Sequence, residues 1–331
     1  MLRNMDKKED KFYDFYNGKR VLVTGADGFM GSHLVDRLVN MGAKVTAYVR
    51  GSSVTGTNRF ELKNIRHHID NIKIIAGDIS SPDSKNLIVS NNPEIIFHLA
   101  AEAYVPKSFN QPLEVIDANV YGTLNVLEAS RSMGNVLRTV CTSSSEIYGT
   151  HDEPIKESDI MNPTSPYGAS KLAADRFAWS WWNTYKIPIA IVRPFNTYGP
   201  RHTYDVVPFF INKALNGEAL TIHGDGTQTR DLMYVEDTIN AFLIMGSHND
   251  AIGKAVNFGT GKDIMIKDVA QKIKLYSNSN CEIVHIAPRT SEVKRLCCDP
   301  SLAKSLFGWS ATISIDEGLK RNIEWVKAQR K

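Results

Sequence analysis

The chain has 331 residues, 42% hydrophobic and 23% charged, with a formal net charge of +3. Such a composition belongs to a water-soluble globular protein, long enough for one large domain or two unequal ones. The charge is too small to call for a nucleic-acid or anionic-membrane partner, and no apolar run reaches the about 20 residues of a membrane helix.

Residues 1–18 are charged and lack apolar periodicity, so a loosely docked arm without a secretory signal is expected. A regular alternation then begins. Arg20–Thr24, Lys44–Val49, Ile72–Ala76, Ile95–Leu99, Val136–Val140 and Ile187–Val192 read as short strands. Helical patterns lie between them at Met30–Met41, Asn119–Ser130 and Ser170–Tyr185. Apolar strands alternating with helices imply a doubly wound parallel α/β sheet covered on both faces, here over residues 19–192. From residue 193 the chain turns to Gly, Pro and aromatic-rich loops, the pattern of a smaller C-terminal substrate-binding domain, with about 231–260 returning to the sheet. Cys141, Cys281, Cys297 and Cys298 show no C-x-x-C spacing and are expected as free thiols of a cytoplasmic protein.

Thr24-Gly-Ala-Asp-Gly-Phe-Met-Gly31 sets three glycines between the first strand and the first helix. That turn lets backbone N–H groups approach a pyrophosphate at a helix N-terminus, the Rossmann arrangement. Gly25, Asp27, Gly28, Phe29, Met30 and Gly31 are therefore candidate cofactor contacts. An NAD enzyme usually closes its second strand with Asp or Glu for the ribose hydroxyls. This chain has Arg50 there, which suits a 2′-phosphate, so NADP is favoured over NAD. Asp78 and Ile79 after the third strand, Leu99, Ala100 and Ala101 after the fourth, and Pro194 complete the expected cofactor surface.

Tyr167-Gly-Ala-Ser-Lys171 places a phenol and an ammonium on one helix face. A phenol of ordinary pKa near ~10 needs a neighbouring positive charge to act as a base at neutral pH. Upstream, Cys141-Thr-Ser-Ser-Ser-Glu-Ile-Tyr148 ends a strand in hydroxyls and a carboxylate. Ser144, Ser145, Glu146, Tyr167 and Lys171 are thus the candidate catalytic set.

The sequence resembles the extended short-chain dehydrogenase/reductases, in particular the nucleotide-sugar epimerase/dehydratase family, from about Lys19 to Trp325. The resemblance rests on the glycine turn, His98-Leu-Ala-Ala101, Asn119-Val-Tyr-Gly-Thr-Leu-Asn125, the Tyr–Lys motif, Arg193-Pro-Phe-Asn-Thr-Tyr-Gly-Pro-Arg201 and Thr229-Arg-Asp-Leu-Met-Tyr-Val-Glu-Asp237. It implies substrate contacts at Glu102, Asn119, Asn196, Arg201, Arg230 and Arg295. It also implies pairing into a homodimer or homotetramer, which suits the helix bearing Phe177, Trp179, Trp181, Trp182 and Tyr185. Sugar 4,6-dehydratases of the family carry a Glu where Glu146 stands. Ser145 before it matches the GDP-mannose type rather than the dTDP-glucose type, and Ser144 replaces the usual Thr. The Pro288–Leu296 stretch is similar to GDP-mannose dehydratases and still more to those acting on nucleotide-linked N-acetylglucosamine in legionaminic-type pathways.

The expected activity is a nucleotide-sugar 4,6-dehydratase using tightly bound, recycled NADP or NAD. A UDP-sugar 4-epimerase, a UDP-glucuronate decarboxylase (whose site can also hold a Ser-Glu pair) and a non-catalytic NAD(P)-sensing regulator are the alternatives. Gly259-Thr-Gly-Lys262 lacks the earlier glycine of a P-loop, since position 256 is Val, and no G-x-S-x-G elbow supports a hydrolase. The histidines show no paired metal-ligand spacing, and no metal is expected.

Overall fold

A computed structural model describes residues 11–50, 62–289 and 293–330. Residues 1–10 of the expected arm, 51–53 after the second strand and 290–292 of the Pro288–Leu296 stretch lie outside the described residues.

The apolar runs form β1 (Arg20–Thr24), β2 (Lys44–Val49), β3 (Lys73–Ala76), β4 (Ile95–His98), β5 (Arg138–Thr142) and β6 (Ile189–Pro194). Shorter strands follow: β7 (Asn196–Tyr198), β8 (Leu220–His223), β9 (Thr229–Tyr234), β10 (Ala255–Phe258), β11 (Asp263–Met265), β12 (Ile283–Ile286) and β13 (Arg295–Leu296). Seven of them make one parallel sheet in the order β3-β2-β1-β4-β5-β6-β10. The order reverses between β1 and β4, and ligands of such sheets bind beyond the strand ends at that switch point.

Alternate residues of each strand enter opposite layers, as the two-residue repeat requires. Val21, Val23, Ile95 and Phe97 pack with Leu34, Leu38, Ile239 and Phe242 of the Phe29–Asn40 and Val235–Ser247 helices. Leu22 and Ile96 face the other way, onto Ile88, Val126 and Ala129 of the Asp83–Ser90 and Gly122–Met133 helices. The strand segments are thus buried on both faces, which explains their unbroken apolar runs. β10 extends this sheet beside β6, in register from Ala255↔Ile191 to Phe258↔Pro194. β7, β9, β11 and β13 form a four-stranded second sheet, and β8 pairs with β12.

The expected arm gives way to a docked segment over residues 11–18. Phe12 and Tyr16 are buried in the main core, and the Tyr16 hydroxyl donates to the Leu243 carbonyl at 2.7 Å. Their aromatic surface outweighs the charged neighbours that dominate the sequence pattern. The Tyr–Lys helix also starts earlier than its apolar periodicity suggests, running Pro166–Tyr185 rather than from Ser170. Ser165 caps it by accepting the Gly168 N–H at 3.0 Å, and Pro166 takes the first turn, where its missing N–H costs nothing. Among the described residues no helix is long and apolar enough to cross a membrane.

Candidate active site

β1 and β4 end side by side, and Thr24 ties them together. Its hydroxyl accepts the N–H groups of Leu99 and Ala100 at 3.1 and 3.0 Å and lies 2.8 Å from His98 Nδ1. The Thr123 hydroxyl donates to the Asn119 carbonyl at 2.6 Å, so at 3.0 Å it accepts from His98 Nε2. The ring is therefore protonated on Nε2, and Thr24 donates to Nδ1. Burial drives this imidazole down to about 3, helped by Lys171, so it stays neutral.

The glycine turn fits closely against this junction. A Cβ on Gly25, whose φ is 67°, would lie 2.8 Å from the Ala100 nitrogen, and one on Gly31 would lie 2.1 Å from the Gly25 carbonyl oxygen. The helix that starts at Phe29 has no side-chain cap at Gly28, leaving its first turn directed at the crevice. This cradle of close backbone and a helix N-terminus fits a dinucleotide pyrophosphate. Phe29, Met30, Leu99, Ala101 and Pro194 line the adjoining cleft, as the sequence suggests. Asp27 instead accepts the Asn64 and Ile65 N–H groups at 2.8 and 3.2 Å, anchoring the following loop. Ala100 and Ile79 pack in the layer behind, with the Ile79 carbonyl accepting from Asn125 at 2.9 Å. Asp78 is lowered by its bonds to Ser80, with Arg50 contributing, so the exposed Arg50 lies near Asp78 at the β2–β3 edge.

After β5 the chain makes a single tight turn, Ser145–Ile147, capped by Ser144, whose oxygen accepts the Glu146 N–H at 3.2 Å. The cap aims Ser144, Ser145 and Glu146 into the cleft together. Behind them lies a buried network. Arg193 donates to Asp175 at 2.8 and 3.0 Å and to the Tyr148 hydroxyl at 2.6 Å. Tyr148 donates on to Asn257 at 2.8 Å, and the Asn257 N–H donates to Glu157 at 2.8 Å. These bonds join β6, β10 and the Tyr–Lys helix to the turn that carries Glu146.

Tyr167 and Lys171 reach the same cleft from the first turns of their helix. Burial raises the Tyr167 phenol above its ordinary value; the Ser144 hydroxyl opposes this, while the Glu146 and Asp205 carboxylates add to it. Lys171 lies one helical turn on from Tyr167. Its ammonium donates to the Thr142 carbonyl, and burial brings it down to about 8 against the pull of Asp175. A phenolate here would draw on the positive nicotinamide ring of a bound oxidised cofactor together with Ser144.

The cleft measures about 1510 Å³. That exceeds the about 300–1,000 Å³ of a drug-sized pocket and suits a dinucleotide end together with a large second ligand. Asn196 and Arg230 line its far wall, with Arg230 held by the Thr229 and Val293 carbonyls at 2.8 Å each. Four expected substrate contacts lie elsewhere. Asn119 is buried on a π-helical turn, accepting from the Glu102 N–H at 2.8 Å and donating to Ser170 at 2.9 Å, which makes it a brace for the Tyr–Lys helix. The Glu102 carboxylate is drawn to Lys107 at 2.8 Å. Arg201 turns to Asp36 at 2.8 Å, and Arg295 turns to Asp263 at 2.9 Å. In the last three a nearby opposite charge captures the side chain.

Two cleft groups, Ser143 and His202, are absent from the sequence expectations. Ser143 Oγ, Asn196 Oδ1 and His202 Nδ1 line the cleft and, among the described residues, are buried polar atoms without hydrogen-bond partners. Asn196 is expected here, whereas Ser143 stands in a run of hydroxyls with nothing to single it out, and His202 carries no local signal. The His202 ring stacks on Phe29 at 4.4 Å, a contact between parts of the chain more than 170 residues apart.

A family model described as GDP-mannose 4,6 dehydratase matches residues 22–322. The chain is 34% identical over 320 residues to a trifunctional UDP-glucose 4,6-dehydratase/UDP-4-keto-6-deoxy-D-glucose 3,5-epimerase/UDP-4-keto-L-rhamnose-reductase of Arabidopsis thaliana. That match takes in 94% of this chain and 47% of the plant protein, so the chain spans about half its length. It is 33% identical over 314 residues to a UDP-glucose 4-epimerase of Mycolicibacterium smegmatis, covering 93% of this chain and 98% of that one. Among solved structures, a dTDP-glucose 4,6-dehydratase of Streptomyces venezuelae with NAD bound gives a TM-score of 0.85 at 26% identity, covering 94% of this chain and 98% of that one. A protein solved in complex with UDP-glucose and NAD gives 0.83 at 33% identity, covering 94% and 100%.

Proposed function

The chain belongs to the GDP-mannose 4,6-dehydratase family of nucleotide-sugar-modifying short-chain dehydrogenase/reductases, and from that premise we propose that it is a nucleotide-sugar 4,6-dehydratase. Its substrate is a GDP- or UDP-linked hexose, N-acetylglucosamine among the candidates, and its product is the 4-keto-6-deoxy sugar. The observation that carries this reading is Glu146, brought into one cleft with Ser144, Ser145 and Tyr167.

The C5 proton of a hexose is not acidic, so loss of the 6-hydroxyl needs a neighbouring ketone. Tyr167 takes the 4-hydroxyl proton as hydride leaves C4. Glu146 then removes the acidified C5 proton, and Ser145, with Glu146 behind it, delivers a proton to the departing 6-hydroxyl. As hydride comes back to C6, C5 takes up a proton in place of the one lost, matched by the 4-hydroxyl proton that Tyr167 releases, so the atoms balance as one water lost. A bound nicotinamide dinucleotide supplies the hydride acceptor and later the donor at C6, so it is regenerated in each cycle. Arg50 favours NADP as that dinucleotide, held through the 2′-phosphate. Ser143, Asn196 and Arg230 offer the polar atoms for the sugar and its diphosphate. The exposed Leu113, Tyr121, Trp179 and Tyr185 support pairing of copies through the helices around residues 112–133 and 166–185.

A UDP-sugar 4-epimerase is the second reading, favoured by the mycobacterial relative matched nearly end to end. It would use Tyr167 in the same way but would return hydride to C4. Incubating the protein with a panel of nucleotide sugars and weighing the products separates the readings. Loss of one water supports the dehydratase. An isomer of unchanged mass points to the epimerase, loss of carbon dioxide from UDP-glucuronate points to the decarboxylase, and either result overturns the proposal.

A further inference from the structure

Behind the glycine turn, outside the cleft, two imidazoles converge on a buried carboxylate. Asp36 lies in the Phe29–Asn40 helix at 3% exposure, among buried Leu34, Val35 and Leu38. A carboxylate is costly there unless each oxygen is answered. Arg201 takes Oδ2 at 2.8 Å. Oδ1 faces His67 Nε2 at 2.9 Å and His68 Nε2 at 3.0 Å, with the two rings 4.2 Å apart. Consecutive side chains on a helix normally diverge, yet the short turn Arg66–His68 directs both rings at one oxygen. The loop carrying them is fixed to the glycine turn through Asp27, Asn64 and Ile65.

We propose that Asp36, His67 and His68 form a site for one divalent transition-metal ion of the zinc type, with three protein ligands and an open position for water. The three candidate ligand atoms all lie within 4.8 Å of one another. Metal–ligand bonds of about 2.0–2.2 Å in a tetrahedron require ligand spacings of about 3.3 Å, a few tenths wider than the present contacts. Arg201 on the other oxygen serves as the outer partner that orients a ligating carboxylate. It also offsets the Asp36 charge, so affinity rests on imidazole nitrogen and favours zinc, cobalt or nickel over magnesium or calcium. The His67 side chain is 52% exposed, giving the ion a path in and room for its water. A bound ion would clamp the loop of residues 62–68 to the helix behind the phosphate cradle, a role separate from the chemistry in the cleft.

Untagged, metal-stripped, full-length protein titrated with Co²⁺ under reducing conditions tests this. The expected result is one equivalent bound per chain with visible tetrahedral d–d bands, displacement by Zn²⁺, reversal by chelator and a raised melting temperature. His67→Ala, at the exposed ligand, and His68→Ala, at the largely buried one, should each lose affinity by more than the about tenfold that removing an outer partner costs. Their unchanged melting temperature in the absence of metal would show that the fold is intact. Absence of stoichiometric binding by the wild type, or equal binding by both variants, overturns the proposal and leaves a hydrogen-bonded Asp–His cluster.

Discussion

The end of β5 and the chain from β7 onward dispose of their polar side chains in opposite ways. At the β5 end, Ser144, Ser145 and Glu146 face the cleft together because one capped turn sets their directions. From β7 onward, Arg201 and Arg295 swing to Asp36 and Asp263, while Asn196 and Arg230 stay on the cleft wall. A short side chain on a tight turn goes where its local backbone points. A long cation in this irregular part of the chain goes to whichever acceptor tertiary packing brings within reach, and that partner is invisible in a linear pattern.

The contrast can be broken by substitution. Tyr167→Phe should show the largest effect, slowing hydride transfer by about 10²–10⁴-fold, as loss of a positioned base does. Stopped-flow absorbance of the reduced nicotinamide reads it, and normal transfer would remove the phenol from the chemistry. Next comes the frame behind the β5 turn. Asp175→Ala strands the Arg193 guanidinium, 1% exposed, without its carboxylate. Breaking a buried pair in this way costs about 3–5 kcal/mol, to be read by urea unfolding.

The two cations Arg230 and Arg295 should differ from each other. Arg230→Ala should raise the KM for the nucleotide sugar about tenfold, the effect of losing about 1.4 kcal/mol of binding. Arg295→Ala loses a partly exposed pair with Asp263 worth about 0.2–1 kcal/mol of stability, and its KM should not move. The reverse pattern would mean that Arg295 leaves Asp263 for substrate. The smallest expected effect is a shift with pH. The Glu146 charge is one of the groups that raise the Tyr167 phenol, so Glu146→Gln should move the ionisation governing hydride transfer to lower pH. A shift upward would contradict their closeness.

Much of the fold was legible because β1, β4 and β5 are buried on both faces and so must read as unbroken apolar runs. The glycine turn was legible for a steric reason, since only Gly fits against the Ala100 backbone and the Gly25 carbonyl. The docked segment at residues 11–18 was not. Its burial rests on Phe12 and Tyr16 finding a groove beside Leu243, more than 200 residues away. Asn119 shows the same limit. Its amide could equally meet substrate or brace Glu102 and Ser170, and only the π-helical turn decides. The convergence of His67 and His68 is invisible in the sequence because their partner, Asp36, lies on another element 31 residues upstream of His67.

The central claim is that Glu146 removes the C5 proton after, and independently of, oxidation at C4. Single turnover of Glu146→Gln with the sugar nucleotide that the wild type dehydrates tests it most directly, with nicotinamide absorbance and product mass followed together. Reduced nicotinamide should appear and persist while water loss is slowed by about 10²–10⁴-fold. Normal water loss, or failure of the nicotinamide to be reduced at all, would contradict it.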